Sequence, residues 1–266
     1  MEFLSYETLG LLFCVALIAG WIDSIAGGGG LIALPALLGA GLSPAQALAT
    51  NKLQGSFGTF AATMNFYKKG HLNLKEIWPM IVMTFIGAAL GTLAVQAIDA
   101  SLLIDVIPFL LVGMGFYFLL QPQIGTQDRK ARIGVWAYGL FFGFSIGFYD
   151  GFFGPGTGSF FAVAFITMMG FNILKATAHT KVLNFTSNIA SLLFFILGGQ
   201  MVWLVGLVMA MGQLVGGYLG SHMSMKHGGK IIRPLLVVIS FAMTIKLIWS
   251  SPDHIIHQWV VTLFNL

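Results

Sequence analysis

The sequence predicts an all-α integral membrane protein made of two homologous halves, each a Gly-broken hairpin plus three transmembrane helices, set as an inverted repeat. Three observations predict this. Of 266 residues, 57% are hydrophobic and only 8% charged, against roughly a quarter charged in soluble domains. The apolar residues fall in stretches long enough to span a bilayer, which takes about 20 residues each. Finally, glycines, lysines and aspartates recur at matched positions in the two halves.

The apolar stretches run over 8–42, 47–67, 76–97, 101–120, 134–170, 176–198, 200–222 and 232–250. Six have the length of single spans. The stretches 8–42 and 134–170 are too long for one helix, and each is interrupted, at Asp23-SIAGGGG and at Asp150-GFFGPGTG. Glycine costs about 1 kcal/mol in a helix interior and proline about 3, so neither interruption is helical throughout. A new helix is expected after each, near Leu31 and near Ser159. The tail 251–266 is short and mixed and reads as an interfacial segment. The N-terminus lacks a basic region, so the first apolar stretch reads as structure rather than as a cleaved signal.

The chain thus reads as one transporter domain over 1–266, with repeat 1 at 8–120, a loop at 121–133, repeat 2 at 134–250 and the tail. A shift of 127 places Asp23 on Asp150, Gly27 on Gly154 and Gly29 on Gly156. A shift of 129 places Lys52 on Lys181, Gly70 on Gly199, Gly87 on Gly216 and Gly91 on Gly220. VIPFLLV (106–112) aligns with IRPLLVV (232–238), Pro108 on Pro234. Duplicated half-transporters produce such patterns.

Basic residues concentrate in 68–75, in 121–133 (Arg129, Lys130, Arg132) and in 226–233. Cytoplasmic loops carry this excess. All three share a side only if an even number of crossings separates them, which requires 134–170 to enter and leave on one face. Each half then makes an odd number of crossings, and the halves are inverted. The net charge of +4 is thereby explained by orientation, and no nucleic-acid partner is expected. The partners expected are the bilayer and a small anionic substrate, with a homo-oligomer left open.

Paired Gly-rich breaks at matched positions mark transporter sites near the bilayer midplane. Helix N-termini there leave N–H groups unpaired, at the positive end of the helix dipole. Gly27, Gly28, Gly29 and Gly30, and Gly154, Gly156 and Gly158 with Thr157, are therefore candidate anion ligands; close helix packing is the other role open to glycine. That packing role is the one expected of Gly87, Gly91, Gly216 and Gly220. Lys52 and Lys181 either snorkel or supply charge to an anion, since an intramembrane charge is costly. Thr50, Asn51, His179 and Thr180 adjoin the lysines and join the candidate site. Asp23 and Asp150 either cap freed backbone N–H groups or couple transport by taking up a proton or cation. Asn65 and Asn188 read as helix-to-helix hydrogen bonders.

Other chemistries find no footing. Cys14 is the one cysteine, so no internal disulfide forms. No HExxH pairing occurs, and GGGG is not a phosphate loop because no GK[ST] follows. No metal or cofactor is expected, an enzyme is disfavoured, and active transport would have to be secondary. An anion channel on the same hairpins is the alternative, and a membrane-embedded assembly factor is a weaker one.

The strings GWIDSIAGGGGLIALPAL (20–37) and ATNKLQGSFGT (49–59) resemble the signature of the TauE/SafE family of sulfite exporters, and GFYDGFFGPGTGSF (147–160) and HTKVLNFTSNIAS (179–191) resemble its second motif. The resemblance covers roughly 8–250. It implies a bacterial inner-membrane transporter of sulfite, sulfonates or related anions. It supports Asp23, Gly27 to Gly30, Asn51 and Lys52 in the first half. In the second half it supports Asp150, Gly154, Pro155, Gly156, Gly158, Thr180 and Lys181.

Overall fold

The computed structural model describes residues 5–97 and 125–232, with scattered residues between 234 and 241. The expected span 101–120, most of 232–250 and the tail 251–266 lie outside the described residues.

Regular structure among the described residues is helical. The first broken segment forms α1 (Tyr6–Ala26) and α2 (Gly29–Gly39), followed by α3 (Pro44–Lys68) and α4 (Leu74–Ala97). The second begins with α5, which runs through Val135–Tyr138, a π turn at Gly139–Gly143, and Phe144–Phe152. Then come α6 (Thr157–Met168), α7 (Ile173–Leu197) and α8 (Trp203–His227). α1, α4, α7 and α8 are each long and apolar enough to cross a bilayer. α2 and α6 have 11 and 12 residues, so at 1.5 Å per residue each reaches only about halfway through the ~30 Å hydrocarbon core.

Local sequence explains the boundaries. Ser43 opens α3 with a capping box: its Oγ accepts the Gln46 N–H at 3.4 Å, and Gln46 Oε1 accepts the Ser43 N–H at 3.1 Å. Asn172, 129 residues on, opens α7 by accepting the Lys175 N–H at 2.9 Å. Positive-φ glycines close the preceding helices at Gly41 and Gly170, and close α3 and α7 at Gly70 and Gly199, again 129 apart. Each glycine supplies a left-handed conformation that other residues resist.

Helices pack through glycine. α8 lies against α1, and a Cβ on Gly216 or Gly220 would stand 2.1 Å from the Leu17 carbonyl or 2.3 Å from that of Trp21. α4 lies against α5 in the same manner, with Gly87 facing the Phe144 carbonyl at 2.2 Å and Gly91 that of Phe148 at 2.0 Å. This is the packing role expected of those four glycines. Asn65 bonds the Ser221 hydroxyl at 2.9 Å, joining α3 to α8. Apolar side chains point outward along α4 (Trp78, Val82, Phe85, Leu90) and α8 (Leu204, Leu207, Met211). Water does not tolerate such a surface, but lipid does.

The basic loops gather at one end. Lys69 and His71 share a surface hollow with His222 and Lys226. The 125–132 loop is strapped to the α6–α7 turn by the Arg129 N–H on the Gly170 carbonyl (2.7 Å) and the Arg132 N–H on that of Met168 (2.7 Å). Gly125 and Lys230 line one hollow beside Ile173. α5 therefore starts, and α6 ends, at the end that carries the basic loops.

Candidate functional site

The interruptions are shorter than the sequence suggested. Only Gly27 and Gly28 separate α1 from α2, and α6 begins at Thr157, so both second helices start two residues earlier than Leu31 and Ser159. Asp23 is the reason in the first half: from the last turn of α1 its Oδ1 accepts the Gly29 N–H at 3.2 Å, capping α2. In the second half, Gly154 and Gly156 carry φ of 98° and 83° on either side of Pro155, and the Tyr149 hydroxyl donates to the Pro155 carbonyl.

The two breaks touch. A Cβ on Gly27 would sit 2.3 Å from Gly158 Cα, and one on Gly158 would sit 2.4 Å from Gly27 Cα. Ser159 Oγ donates to the Ala26 carbonyl at 2.9 Å, tying α6 to the end of α1.

Each lysine crosses to the opposite half. Lys52 Nζ stands 3.0 Å from Asp150 Oδ1 and also donates to the Asp150 carbonyl. Lys181 Nζ stands 3.3 Å from Asp23 Oδ2 and donates to the Asp23 carbonyl. Both lysines are 1% exposed, so neither snorkels. Each cation sits where a broken helix ends, at the negative pole of its dipole. The lysines are thus bound to aspartates and helix ends, and Lys52 also lines a cavity between the two breaks. The carboxylates differ in surroundings. Asp150 is reached by the Thr157 hydroxyl at 2.8 Å and by that of Ser187, in addition to Lys52.

A cavity lies at the junction. Its volume is about 40 Å³, room for about three waters. The first break lines it with Asp23, Gly27, Gly29 and Gly30, and the second with Asp150, Gly154, Gly156, Thr157 and Gly158. Gly30 and Gly158 are second residues of their helices, where the helix itself offers their N–H groups no acceptor. α3 adds Asn51, Lys52, Gly55 and Thr59. Asn51 Oδ1 accepts from Gln54 at 2.9 Å, which leaves its amide N–H₂ toward Gly30, 3.5 Å from where a Cβ there would be.

Five expected residues lie off the cavity wall. Gly28 is the N-cap of α2. Thr50 Oγ1 accepts the Val202 N–H at 3.4 Å. His179 is buried against the rings of Phe171 and Phe165, at 4.9 and 5.7 Å, with Nδ1 on the Lys175 carbonyl. Lys181 and Thr180 line a separate space behind Gly27 and Gly158, too small for a water.

Sequence reasoning missed other wall residues. Asn184 and Asn188 of α7 and Gln213 of α8 all reach the cavity. Asn188, expected only to join helices, does so weakly, 3.5 Å from Thr59 Oγ1, and faces the cavity as well. Gln213 fits a slot left by glycine: a Cβ on Gly58 would come 2.2 Å from its Oε1, and one on Gly20 2.6 Å. The available signal was a lone amide in the otherwise apolar stretch 203–217. Among the described residues, no group of three His, Cys, Asp or Glu side chains could hold a metal.

An apolar-surfaced helical bundle with two broken helices meeting at a polar cavity defines an integral membrane protein of the transporter class. The chain belongs to the sulfite exporter TauE/SafE family, whose model matches residues 12–247. It is 49% identical to a probable membrane transporter protein of Haemophilus influenzae, over 92% of this chain and 96% of that one. It is also 49% identical to the probable membrane transporter protein YfcA of Escherichia coli K12, over 95% and 94%. A more distant relative, the probable membrane transporter protein YunE of Bacillus subtilis, is 22% identical over 91% and 97%. No solved structure matches.

Proposed function

We propose that this protein is a secondary transporter of a small anion, sulfite or a sulfonate, in the bacterial inner membrane, and that the cavity between the two breaks is its binding site. One observation carries the reading. The N-termini of α2 and α6 converge on a cavity walled by the amides of Asn51, Asn184, Asn188 and Gln213, while lysines cover the C-terminal ends of α1 and α5. Positive helix poles and amide donors thus face the cavity, and the negative poles are neutralised. The family's description as sulfite exporters points to the same class of anion.

The site rests on two halves of opposite orientation. The gathering of the basic loops at one end supports this, as does the cluster that unites Leu9, Leu42 and Val202. Leu9 and Leu42 flank the first broken segment, and Val202 lies in the α7–α8 turn, so the segment begins and ends on the side of that turn, away from the basic loops. Short half-membrane helices facing each other from opposite sides suit alternating access around a central site.

Isotopic sulfite exchange in proteoliposomes tests the reading. Protein-loaded vesicles holding unlabelled sulfite should take up labelled sulfite saturably, and excess ethanesulfonate should compete. Uptake equal to that of empty vesicles for both anions would sink it.

A further inference from the structure

The cavity wall is not uniform in what it offers a ligand. Part of it donates. The N–H groups of Gly30 and Gly158 have no acceptor in their own helices, and Asn51 turns its N–H₂ toward Gly30 while Gln54 holds its carbonyl. Asp23 does the reverse. An ionised carboxylate only accepts, through about four lone-pair sites on its two oxygens. Oδ1 takes the Gly29 N–H at 3.2 Å, and Oδ2 takes the Lys181 ammonium at 3.3 Å. Capacity remains on both oxygens, and Asp23 lines the cavity while Lys181 reaches it from behind the wall.

Asp150 has less to give. Lys52 and the Thr157 hydroxyl share its Oδ1, and the Ser187 hydroxyl donates to its Oδ2. Its side chain is 7% exposed against 18% for Asp23. Asp23 is therefore the acceptor that a molecule in the cavity meets.

Charge does not make the selection here. Each carboxylate is matched by an ammonium, so the two pairs sum to zero. Contact makes it instead. In a space of about 40 Å³, a bound oxyanion cannot stand clear of Asp23. An anion that only accepts sets its lone pairs against those of the carboxylate and leaves that acceptor desolvated and unpaired, which is costly. An anion that carries its own O–H or N–H donates it to Asp23, while its oxygens take the N–H groups opposite.

We infer that Asp23 is a specificity-determining residue that accepts a hydrogen bond from the transported anion, so that the protein takes oxyanions bearing their own donor. The inference rests on the anion-transport reading above and narrows its substrate class. Hydrogen sulfite, through its hydroxyl form, ranks ahead of doubly ionised sulfite, and unsubstituted alkylsulfonates compete only at higher concentration. The contact is a hydrogen bond, with no covalent bond made or broken.

Two competitors of one shape and charge test this on the full-length protein in proteoliposomes. Sulfamate and methanesulfonate are both monoanions at neutral pH with the same –SO₃ head, one carrying –NH₂ and the other –CH₃. At one fixed pH, sulfamate should halve labelled sulfite exchange by the wild type at a concentration about tenfold or more below that of methanesulfonate, the ratio that one hydrogen bond to a charged group supplies. Asp23→Asn combined with Lys181→Met removes the ion pair together, and an asparagine both donates and accepts, so the ratio should fall to about one. Asp23→Asn alone should do the same and serves where the double variant does not fold. Asp150→Asn, where it folds, should keep the wild-type ratio. Equal competition by the two anions in the wild type, or no competition by sulfamate, would overturn the inference and leave the transport reading intact. So would an undiminished ratio in the folded Asp23 variants. Wild type with no exchange of sulfite or ethanesulfonate would overturn the transport reading and the inference together.

Discussion

Gly27 and Gly158 cross backbone to backbone, so close that a Cβ on either would lie within 2.4 Å of the other's Cα. This contact welds the first break to the second and forms one wall of the cavity. Gly158→Ala should therefore destabilise the protein, by about 1–3 kcal/mol from overpacking. Gly27→Ala should be worse, because its φ of 79° strains any side chain. Thermal unfolding in detergent, followed by tryptophan fluorescence, would measure both. Wild-type stability in Gly158→Ala would mean that the breaks are not in contact.

The reciprocal ion pairs make a quantitative pattern. Replacing one member of a buried pair leaves the other charge unpaired, at a cost of about 3–5 kcal/mol. Lys52→Met and Asp150→Asn should each cost in this range, and the double variant should cost well under their sum. The Lys181–Asp23 cycle should give a smaller coupling, since that pair is longer and Asp23 more exposed. Additive effects in the first cycle would deny the pairing.

Asn51 offers its amide to the cavity with its carbonyl held by Gln54. A hydrogen bond to a charged acceptor contributes about 1.5–3 kcal/mol. Asn51→Ala should thus raise the half-saturating sulfite concentration about tenfold or more while leaving the unfolding temperature nearly unchanged. An unaltered half-saturation would move Asn51 out of the binding site.

Helix seams and open surfaces should respond oppositely to the same change. Gly91→Ala would drive a methyl to 2.0 Å from the Phe148 carbonyl, whereas Gly10→Ala meets nothing within 4 Å among the described residues. The first should destabilise by roughly 1–3 kcal/mol, and the second should be neutral or slightly stabilising, as for glycine in an open helix position. Equal melting temperatures in the two variants would contradict the packing of α4 on α5.

Membrane class, broken segments and the pairing of Lys52 with Lys181 were legible because each leaves a one-dimensional trace: hydropathy, helix-breaking residues and spacing. The partner of each lysine was not. Asp150 lies 98 residues from Lys52 and Asp23 158 from Lys181, and only the fold brings them together. His179 looked like a site residue because it lies two residues from Lys181 in sequence, but two residues along a helix turn about 200°, and its ring faces Phe165 and Phe171. Gln213 escaped notice because its slot is made by Gly20 and Gly58 on two other helices. The capping role open to Asp23 in the sequence is the one seen at Gly29, and it brings the start of α2 forward of the place that a count of glycines suggested.

The exchange of lysines between halves has a consequence for biogenesis. While the first half alone has entered the membrane, Asp23 and Lys52 both lack the partners they end up with. Each intramembrane charge costs about 2.5–3.5 kcal/mol on insertion scales. Neither break reaches its final form until residues 150 and 181 have left the ribosome. The nascent first half must wait, unsettled, for the second, and a chain truncated at its middle should be a substrate for membrane proteolysis rather than a stable fragment.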